Sequence, residues 1–326
     1  MFSRLRTIKP TLISVRISSV KSTLSVRMAS TAAHNENLQS HKLFDVSNYS
    51  AIVTGGGTGI GLMLTQTLVA NGAKVYITGR RREALDTVVE KYSTGPGKVV
   101  ALPGDITKKE EIKRLVAEVE KNEPKGIQLL VNNAGIARDD NTKYSDGSPD
   151  FKSAQAISDH LWKSEFSSWA DTFETNVTAQ YFVAAAFLPL LSKSLESSKG
   201  ASPSIVNIAS ISGVMKGSSA GQFAYASSKA AFLHLTRMLA TTFVETKIRV
   251  NSIAPGVFPS EMTAGDSDEN QKSKMDREAS NPSGRFGSET DMGACLLLLA
   301  GPGGAFLNGQ VLYPDGGNIL TSPAAT

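Results

Sequence analysis

From about residue 48 onward, short apolar strand patterns alternate with longer helical patterns, and this alternation limits the possible folds more than any other feature of the chain. Several predicted strands are continuous Val, Ile and Leu runs, which are typical of strands buried on both faces. Strands that alternate with helices predict one α/β domain, a single Rossmann-type, doubly wound parallel sheet with helices on both faces. The predicted strands are residues 51–54, 74–78, 98–103, 128–132, 204–209, 247–253 and 309–313, and the predicted helices include 59–71, 82–92, 108–121 and 168–191.

The first 35 residues differ in composition from the rest of the chain. They contain six basic residues and no acidic one, together with many Ser and Thr residues and scattered apolar residues. This composition predicts a mitochondrial presequence and import into the matrix, with a disordered basic tail as the alternative. Translation from Met28 would give a cytoplasmic form. The predicted organisation is thus a leader over 1–35, a polar linker over 36–47 and the α/β domain over 48–326.

The net charge of +4 does not indicate a nucleic-acid partner, because the excess lies in the leader. Without the six basic residues of the leader, the chain has 28 basic and 30 acidic residues. No uninterrupted apolar run is long enough to predict a membrane span. The four histidines are widely spaced, and Cys295 is the single cysteine, so we expect neither a metal site nor a disulfide framework.

A glycine-rich turn, Thr54-Gly-Gly-Gly-Thr-Gly-Ile-Gly61, lies between the first predicted strand and the first predicted helix. Glycines allow a tight turn and a close approach of backbone amides to a pyrophosphate, and the helix N-terminus adds partial positive charge. The turn therefore predicts a dinucleotide site. The second strand is followed by Gly79 and Arg80, and no acid occurs before Glu83. Since an NAD site favours a carboxylate here and an arginine suits a 2′-phosphate, the predicted cofactor is NADP(H) rather than NAD(H).

Tyr225 and Lys229 lie four residues apart in a predicted helix. Residues at this spacing share one helix face, so the Lys229 ammonium can lie near the Tyr225 phenol. A neighbouring positive charge favours the phenolate and lowers the pKa of the phenol toward the range useful for proton transfer. This pair predicts a general acid or base, although a half-buried ring beside a solvated amine is the commoner meaning of the same spacing.

These motifs, in this order, resemble the short-chain dehydrogenase/reductase family, and the resemblance covers nearly all of the chain after residue 48. Its Asn-Asn-Ala-Gly motif matches residues 132–135, and its Tyr-x-x-x-Lys motif matches Tyr225 and Lys229. The resemblance implies that Tyr225 donates a proton to a carbonyl, that Lys229 binds the nicotinamide ribose and lowers the Tyr225 pKa, and that Ser210 holds the carbonyl oxygen. Asn176 is implied to anchor a water in a proton relay.

The residues with an expected contact to the cofactor follow the same motifs. They are Gly55, Thr58, Gly59, Ile60, Gly61, Arg80, Asp105, Asn133, Ala134, Gly135, Tyr225, Lys229, Pro255 and Gly256.

The chain also departs from the family pattern. Ser212 could take the catalytic role of Ser210, but Ser210 directly follows its strand and is preferred. Thr58 stands where NADP-dependent relatives often carry a basic residue. The polar stretches 139–167 and 256–286 interrupt the strand–helix alternation, and such loops at the sheet edge are where substrates bind.

The predicted function is NADP(H)-dependent interconversion of a ketone and a secondary alcohol, with a 3-oxoacyl thioester as the substrate that the resemblance to acyl-carrier reductases favours. Dehydrogenation of a sugar, polyol or other small alcohol is an alternative. A non-catalytic dinucleotide-binding sensor and a non-redox isomerase or dehydratase are others. The expected partners are a small carbonyl or alcohol substrate and further copies of the chain, in a tetramer or dimer.

Overall fold

Seven parallel strands form one sheet in the order β3-β2-β1-β4-β5-β6-β7, which confirms the predicted fold class. The computed structural model describes residues 35–196 and 202–322. The predicted leader therefore lies outside the described residues except for its last position. The strands are β1 (Ser50–Thr54), β2 (Lys74–Thr78), β3 (Lys98–Ala101), β4 (Leu129–Asn132), β5 (Ser204–Ile208), β6 (Arg249–Ile253) and β7 (Val311–Leu312).

Helices cover both faces of the sheet. The longer helices are α1 (Gly59–Ala70), α2 (Arg82–Tyr92), α3 (Lys109–Asn122), α4 (Ala154–Leu161), α5 (Phe166–Phe173), α6 (Ala179–Lys193), α7 (Phe223–Thr242) and α8 (Glu289–Ala300). Alternate residues of a strand point to opposite faces of the sheet, so Val53 of β1 packs in one apolar cluster with α1, α2 and α8, whereas Ile52 packs in another with α3, α6 and α7. Single helical turns occur at Ser40–Leu43, Glu261–Ala264 and Asn318–Thr321.

The compact α/β unit begins at Phe44, slightly before the predicted start at residue 48, and the described residues 35–43 belong to a separate unit. The predicted polar linker contains the one-turn helix Ser40–Leu43. No helix among the described residues is long and apolar enough to cross a membrane.

The helix predicted over 168–191 is two helices, α5 and α6, joined by a π-helical turn at Glu174–Thr178. The wider turn accommodates one more residue than an α-turn. It places the buried side chain of Asn176 against the segment after β4. There the side-chain amide forms hydrogen bonds with the backbone N–H and C=O groups of Ile136. Apolar periodicity alone gave no sign of this interruption.

The strand order reverses between β1 and β4, because the chain crosses from β3 at one edge back to the far side of β1. In open parallel sheets this reversal leaves a crevice beyond the carboxyl ends of the strands. The segments that follow the first six strands, β1 to β6, all meet at that edge, and they carry the predicted site residues.

Candidate active site

A cleft of about 530 Å³ lies at the carboxyl edge of the sheet. All predicted catalytic and cofactor-binding residues except Asn176 line it, from Arg80 and Asp105 at one end to Ser210, Tyr225 and Lys229 at the other. Asn176 is fully buried behind the cleft. Residues that are far apart in sequence thus come together as the motifs predicted.

The glycine turn after β1 has a backbone that other residues rarely adopt. Gly55 and Gly59 have φ angles of +66° and +53°, in the left-handed region. A side chain at Gly61 would overlap the carbonyl oxygen of Gly55. The turn therefore leaves its backbone uncovered at the start of α1, where a pyrophosphate can approach.

Asn133 and Thr54 fix the shape of this turn. The side-chain amide of Asn133 donates to the carbonyls of Thr54 and Gly55, at 2.9 and 3.1 Å. The Thr54 hydroxyl accepts from the backbone amides of Asn133 and Ala134, at 2.9 and 3.1 Å. Asn133 therefore shapes the cofactor turn through its side chain, and Thr54 completes the arrangement from the end of β1.

Lys229 is the buried charge of the site. Its Nζ donates to the carbonyl of Ile208 at 2.9 Å and lies 5.7 Å from the centroid of the Tyr225 ring. Burial lowers the Lys229 pKa from 10.5 to about 8. A side chain at Gly135 would lie 3.1 Å from Asn176 Oδ1 and 3.4 Å from this Nζ, so the glycine leaves space chiefly for Asn176.

The pKa of the Tyr225 phenol differs from the expectation based on the sequence. Burial raises its pKa above 10.0, and a hydrogen bond with Ser210 offsets part of that rise. The phenol pKa is raised rather than lowered, because desolvation disfavours the phenolate more than the contact with Ser210 favours it. The phenol is therefore held in its protonated form.

The structure distinguishes between the two candidate serines. Ser210 lines the cleft and offsets part of the rise in the Tyr225 pKa, while the Ser212 hydroxyl pairs with that of Ser219 at 2.7 Å. The Ser210 Oγ also accepts from the backbone amide of Ser212 at 3.1 Å. Of the two serines, Ser210 is therefore the one placed next to Tyr225 in the cleft.

Asn176 uses its amide within the protein. Its Oδ1 accepts from the Ile136 amide and its Nδ2 donates to the Ile136 carbonyl, both at 2.8 Å. Nδ2 also donates to Ser228 Oγ at 3.0 Å, and Ser228 in turn donates to the Tyr225 carbonyl at 2.7 Å. In this structure Asn176 ties the segment after β4 to the helix of Tyr225.

Asp139 contacts the same helix, and sequence reasoning did not find it. It is buried in the segment after β4, and its two carboxylate oxygens accept from the backbone amides of Ala224 and Tyr225 at 2.8 and 3.0 Å. Amides in the first turn of a helix have no partner within the helix. The residue before α7, Gln222, provides no side-chain cap. Asp139 supplies that cap from 85 residues away.

Arg80 and Asp105 lie at the other end of the cleft. Burial raises the Asp105 pKa, but hydrogen bonds from Thr107 and the charges of Arg80 and Lys108 outweigh it and keep the pKa below its ordinary value. Arg80 is exposed. Its neighbour Arg81 forms a two-point ion pair with Glu261, and neither of these two residues was predicted.

These residues fit a dinucleotide. The uncovered glycine turn suits the pyrophosphate, Arg80 and Asp105 suit the adenosine end, and Tyr225 with Lys229 lies where the reactive end belongs. Within residues 35–196 and 202–322, no group of three or more His, Cys, Asp or Glu side chains is placed to hold a metal ion.

Comparison with known proteins agrees with this geometry. The sequence model described as short chain dehydrogenase matches residues 49–271. The chain belongs to the short-chain dehydrogenase/reductase family. It is 40% identical to the short-chain dehydrogenase/reductase PhomF of Diaporthe leptostromiformis over 285 residues, which cover 87% of this chain and 95% of that protein.

The names of two further similar proteins give a substrate class and a cofactor, respectively. The rhamnolipids biosynthesis 3-oxoacyl-[acyl-carrier-protein] reductase of Pseudomonas aeruginosa is 34% identical over 85% of this chain and 98% of its own length. Among solved structures, the Pseudomonas aeruginosa RhlG/NADP active-site complex superposes with a TM-score of 0.68 at 32% identity, over 85% of this chain and 98% of that one.

We expect Asp139→Asn to loosen the start of α7 in this dehydrogenase/reductase. The new amide nitrogen cannot accept a hydrogen bond, so one of the two buried backbone amides loses its partner. The free energy of unfolding should fall by about 1–3 kcal/mol, the usual cost of an unsatisfied buried polar group. Asp140→Asn, at the exposed neighbouring position, should change it by less than about 0.5 kcal/mol. Urea denaturation, with hydrogen exchange of residues 222–228, measures both; equal effects of the two variants would contradict the capping role.

The buried Lys229 should make stability rise in alkaline solution. Since the folded chain binds this proton less tightly than the unfolded chain, the cost of burying the charge is complete below about pH 8. It declines as the pH approaches the ordinary lysine pKa of 10.5. Relative to Lys229→Met, the cofactor-free wild type should gain about 2–3 kcal/mol of unfolding free energy between pH 7.5 and 10. The exposed Lys216→Met should follow the wild type, and parallel curves for all three proteins would refute the assignment.

Proposed function

We propose that the chain is an NADP(H)-dependent reductase that interconverts a ketone and a secondary alcohol, with 3-oxoacyl thioesters as its substrate class. The family membership makes it an oxidoreductase acting on a CH–OH group. The observation that carries the proposal is the pairing of the Tyr225 phenol with Ser210 inside the cleft, next to the buried Lys229.

The chain's own residues supply the proton and the charge stabilisation for carbonyl reduction. A bound nicotinamide cofactor would supply the hydride. Tyr225 would give its proton to the carbonyl oxygen, and Ser210 would donate a hydrogen bond to the same oxygen, so that the developing alkoxide is stabilised by preformed donors. Burial raises the pKa of Tyr225, so the phenol carries the proton that this step requires.

Two observations support NADP(H). Arg80 projects at the end of the cleft next to Asp105, and the chain has no carboxylate between β2 and Glu83 that would repel a 2′-phosphate. The RhlG/NADP complex is a similar structure with this cofactor. The reductase of Pseudomonas aeruginosa supports an acyl thioester substrate.

The test is a panel of 3-oxoacyl thioesters, simple ketones and polyols, with NADPH or NADH absorbance as the readout. Reduction of a 3-oxoacyl thioester with NADPH should be the fastest reaction. Tyr225→Phe should lower kcat by about 10²- to 10⁴-fold, since the phenol is the proton donor. Ser210→Ala should also slow the reaction, whereas Ser212→Ala, two positions away, should retain most of it. Turnover that survives Tyr225→Phe, or a preference for NADH that Arg80→Asp leaves unchanged, would refute the proposal.

Two further properties are part of the proposal. The basic, acid-free composition of residues 1–35 supports mitochondrial import, with a cytoplasmic form if translation starts at Met28. Exposed Trp169, Tyr181 and Met238 on α5, α6 and α7 support a homotetramer or homodimer. Fluorescent fusions that start at Met1 and at Met28 should differ in location, and light scattering should give a mass above 34.6 kDa.

A further inference from the structure

A charged pair joins two segments at the adenosine end of the cleft. Arg81 follows Arg80 at the start of α2, and Glu261 begins the one-turn helix Glu261–Ala264 after β6, 180 residues later. The Arg81 NH1 and NH2 groups donate to the Glu261 Oε1 and Oε2 atoms at 2.9 and 2.7 Å. Thr58, at the start of α1, touches both partners, at 3.4 Å from Arg81 NH2 and 3.3 Å from Glu261 Oε2. We call Arg81, Glu261 and Thr58 the clasp.

The geometry of the clasp is that of an anion site. A guanidinium presents two parallel N–H groups that fit a carboxylate and a phosphate in the same way. All three clasp residues line the cleft, together with the glycine turn and Arg80. The fork of Arg81 is therefore an oxyanion subsite within the cofactor cleft, and a carboxylate of the chain itself holds it.

The solvent exposure of Arg81 and Glu261 indicates that a ligand can replace Glu261 in the contact with Arg81. The side chains of Arg81 and Glu261 are 60% and 31% exposed. Ion pairs in contact with water contribute little to stability, because solvent screens them. The hydrogen bond from Arg81 also lowers the pKa of Glu261, so its carboxylate carries a negative charge at neutral pH. An arriving phosphate thus meets a weakly held carboxylate of like charge.

We propose that Arg81 is a second binding residue for the 2′-phosphate of the cofactor and that Glu261 is its internal competitor. This inference rests on the proposed use of NADP(H). A ligand with a 2′-phosphate must displace Glu261 from Arg81, whereas a ligand without that phosphate leaves the clasp intact. Glu261 therefore weakens phosphate binding selectively and determines how strongly the enzyme prefers one cofactor to the other.

The test compares two ligands that differ only in the 2′-phosphate, adenosine 2′,5′-bisphosphate and adenosine 5′-monophosphate. Their dissociation constants are measured by calorimetry on the full chain. Glu261→Gln removes the competing charge and should tighten bisphosphate binding by about two- to fivefold, the factor that corresponds to a solvent-exposed ion pair. Binding of the monophosphate should stay unchanged. Arg81→Met should weaken bisphosphate binding about tenfold or more, as expected for a lost hydrogen bond to a charged group.

Glu278→Gln is the matched control, because Glu278 is exposed in the same loop region and its loss changes the net charge equally. An effect of general electrostatic attraction would appear in both variants. The inference is overturned if Glu261→Gln leaves the ratio of the two dissociation constants unchanged, if Glu278→Gln shifts it as much, or if Arg81→Met has no effect.

The same titrations separate this inference from the proposed function. A wild type that prefers the bisphosphate, with a ratio that Glu261→Gln does not change, rejects the competitor role alone. A wild type that binds both ligands equally, with no response to Arg80→Met or to the clasp variants, rejects NADP(H) use and this inference together. A preference that appears only in Glu261→Gln supports the competitor role.

Discussion

The structure of the site depends on one buried ammonium. Lys229 donates to the carbonyl of Ile208 at the end of β5. An ammonium removed from water is costly unless it is hydrogen-bonded. The carbonyl of Ile208 supplies that hydrogen bond, and it thereby links α7, which also carries Tyr225 one helical turn away, to the carboxyl end of β5.

Burial favours the neutral form of both Tyr225 and Lys229. It raises the pKa of the phenol and lowers the pKa of the ammonium. A protonated phenol is the form required to donate a proton to a carbonyl. From the spacing of the pair, we expected the neighbouring ammonium to lower the phenol pKa. That expectation omitted desolvation, whose size depends on packing and cannot be obtained from spacing.

Sequence reasoning predicted the features that depend on short-range pattern. The parallel sheet followed from the continuous apolar strands, and the positions of Gly55 and Gly59 followed from the turn that joins β1 to α1, where both glycines have positive φ. It failed where function depends on contacts between distant segments. Asp139 caps α7 from 85 residues away, and the π-helical turn at Asn176 exists because of a contact with Ile136. Neither leaves a periodic signal in the chain.

The two carboxylates that sequence reasoning missed differ in exposure, and exposure decides what each can do. Asp139 is buried, and its two oxygens accept from one buried and one part-buried backbone amide, so its removal leaves unpaired polar groups. Glu261 is partly exposed and faces a guanidinium that water also reaches, so its contact can open at little cost. In the proposed function, the cleft therefore combines an end where Asp139 fixes the helix of the proton donor with an end where Glu261 gives way to a phosphate. The two carboxylates differ in their access to water, and this difference suits each to its task.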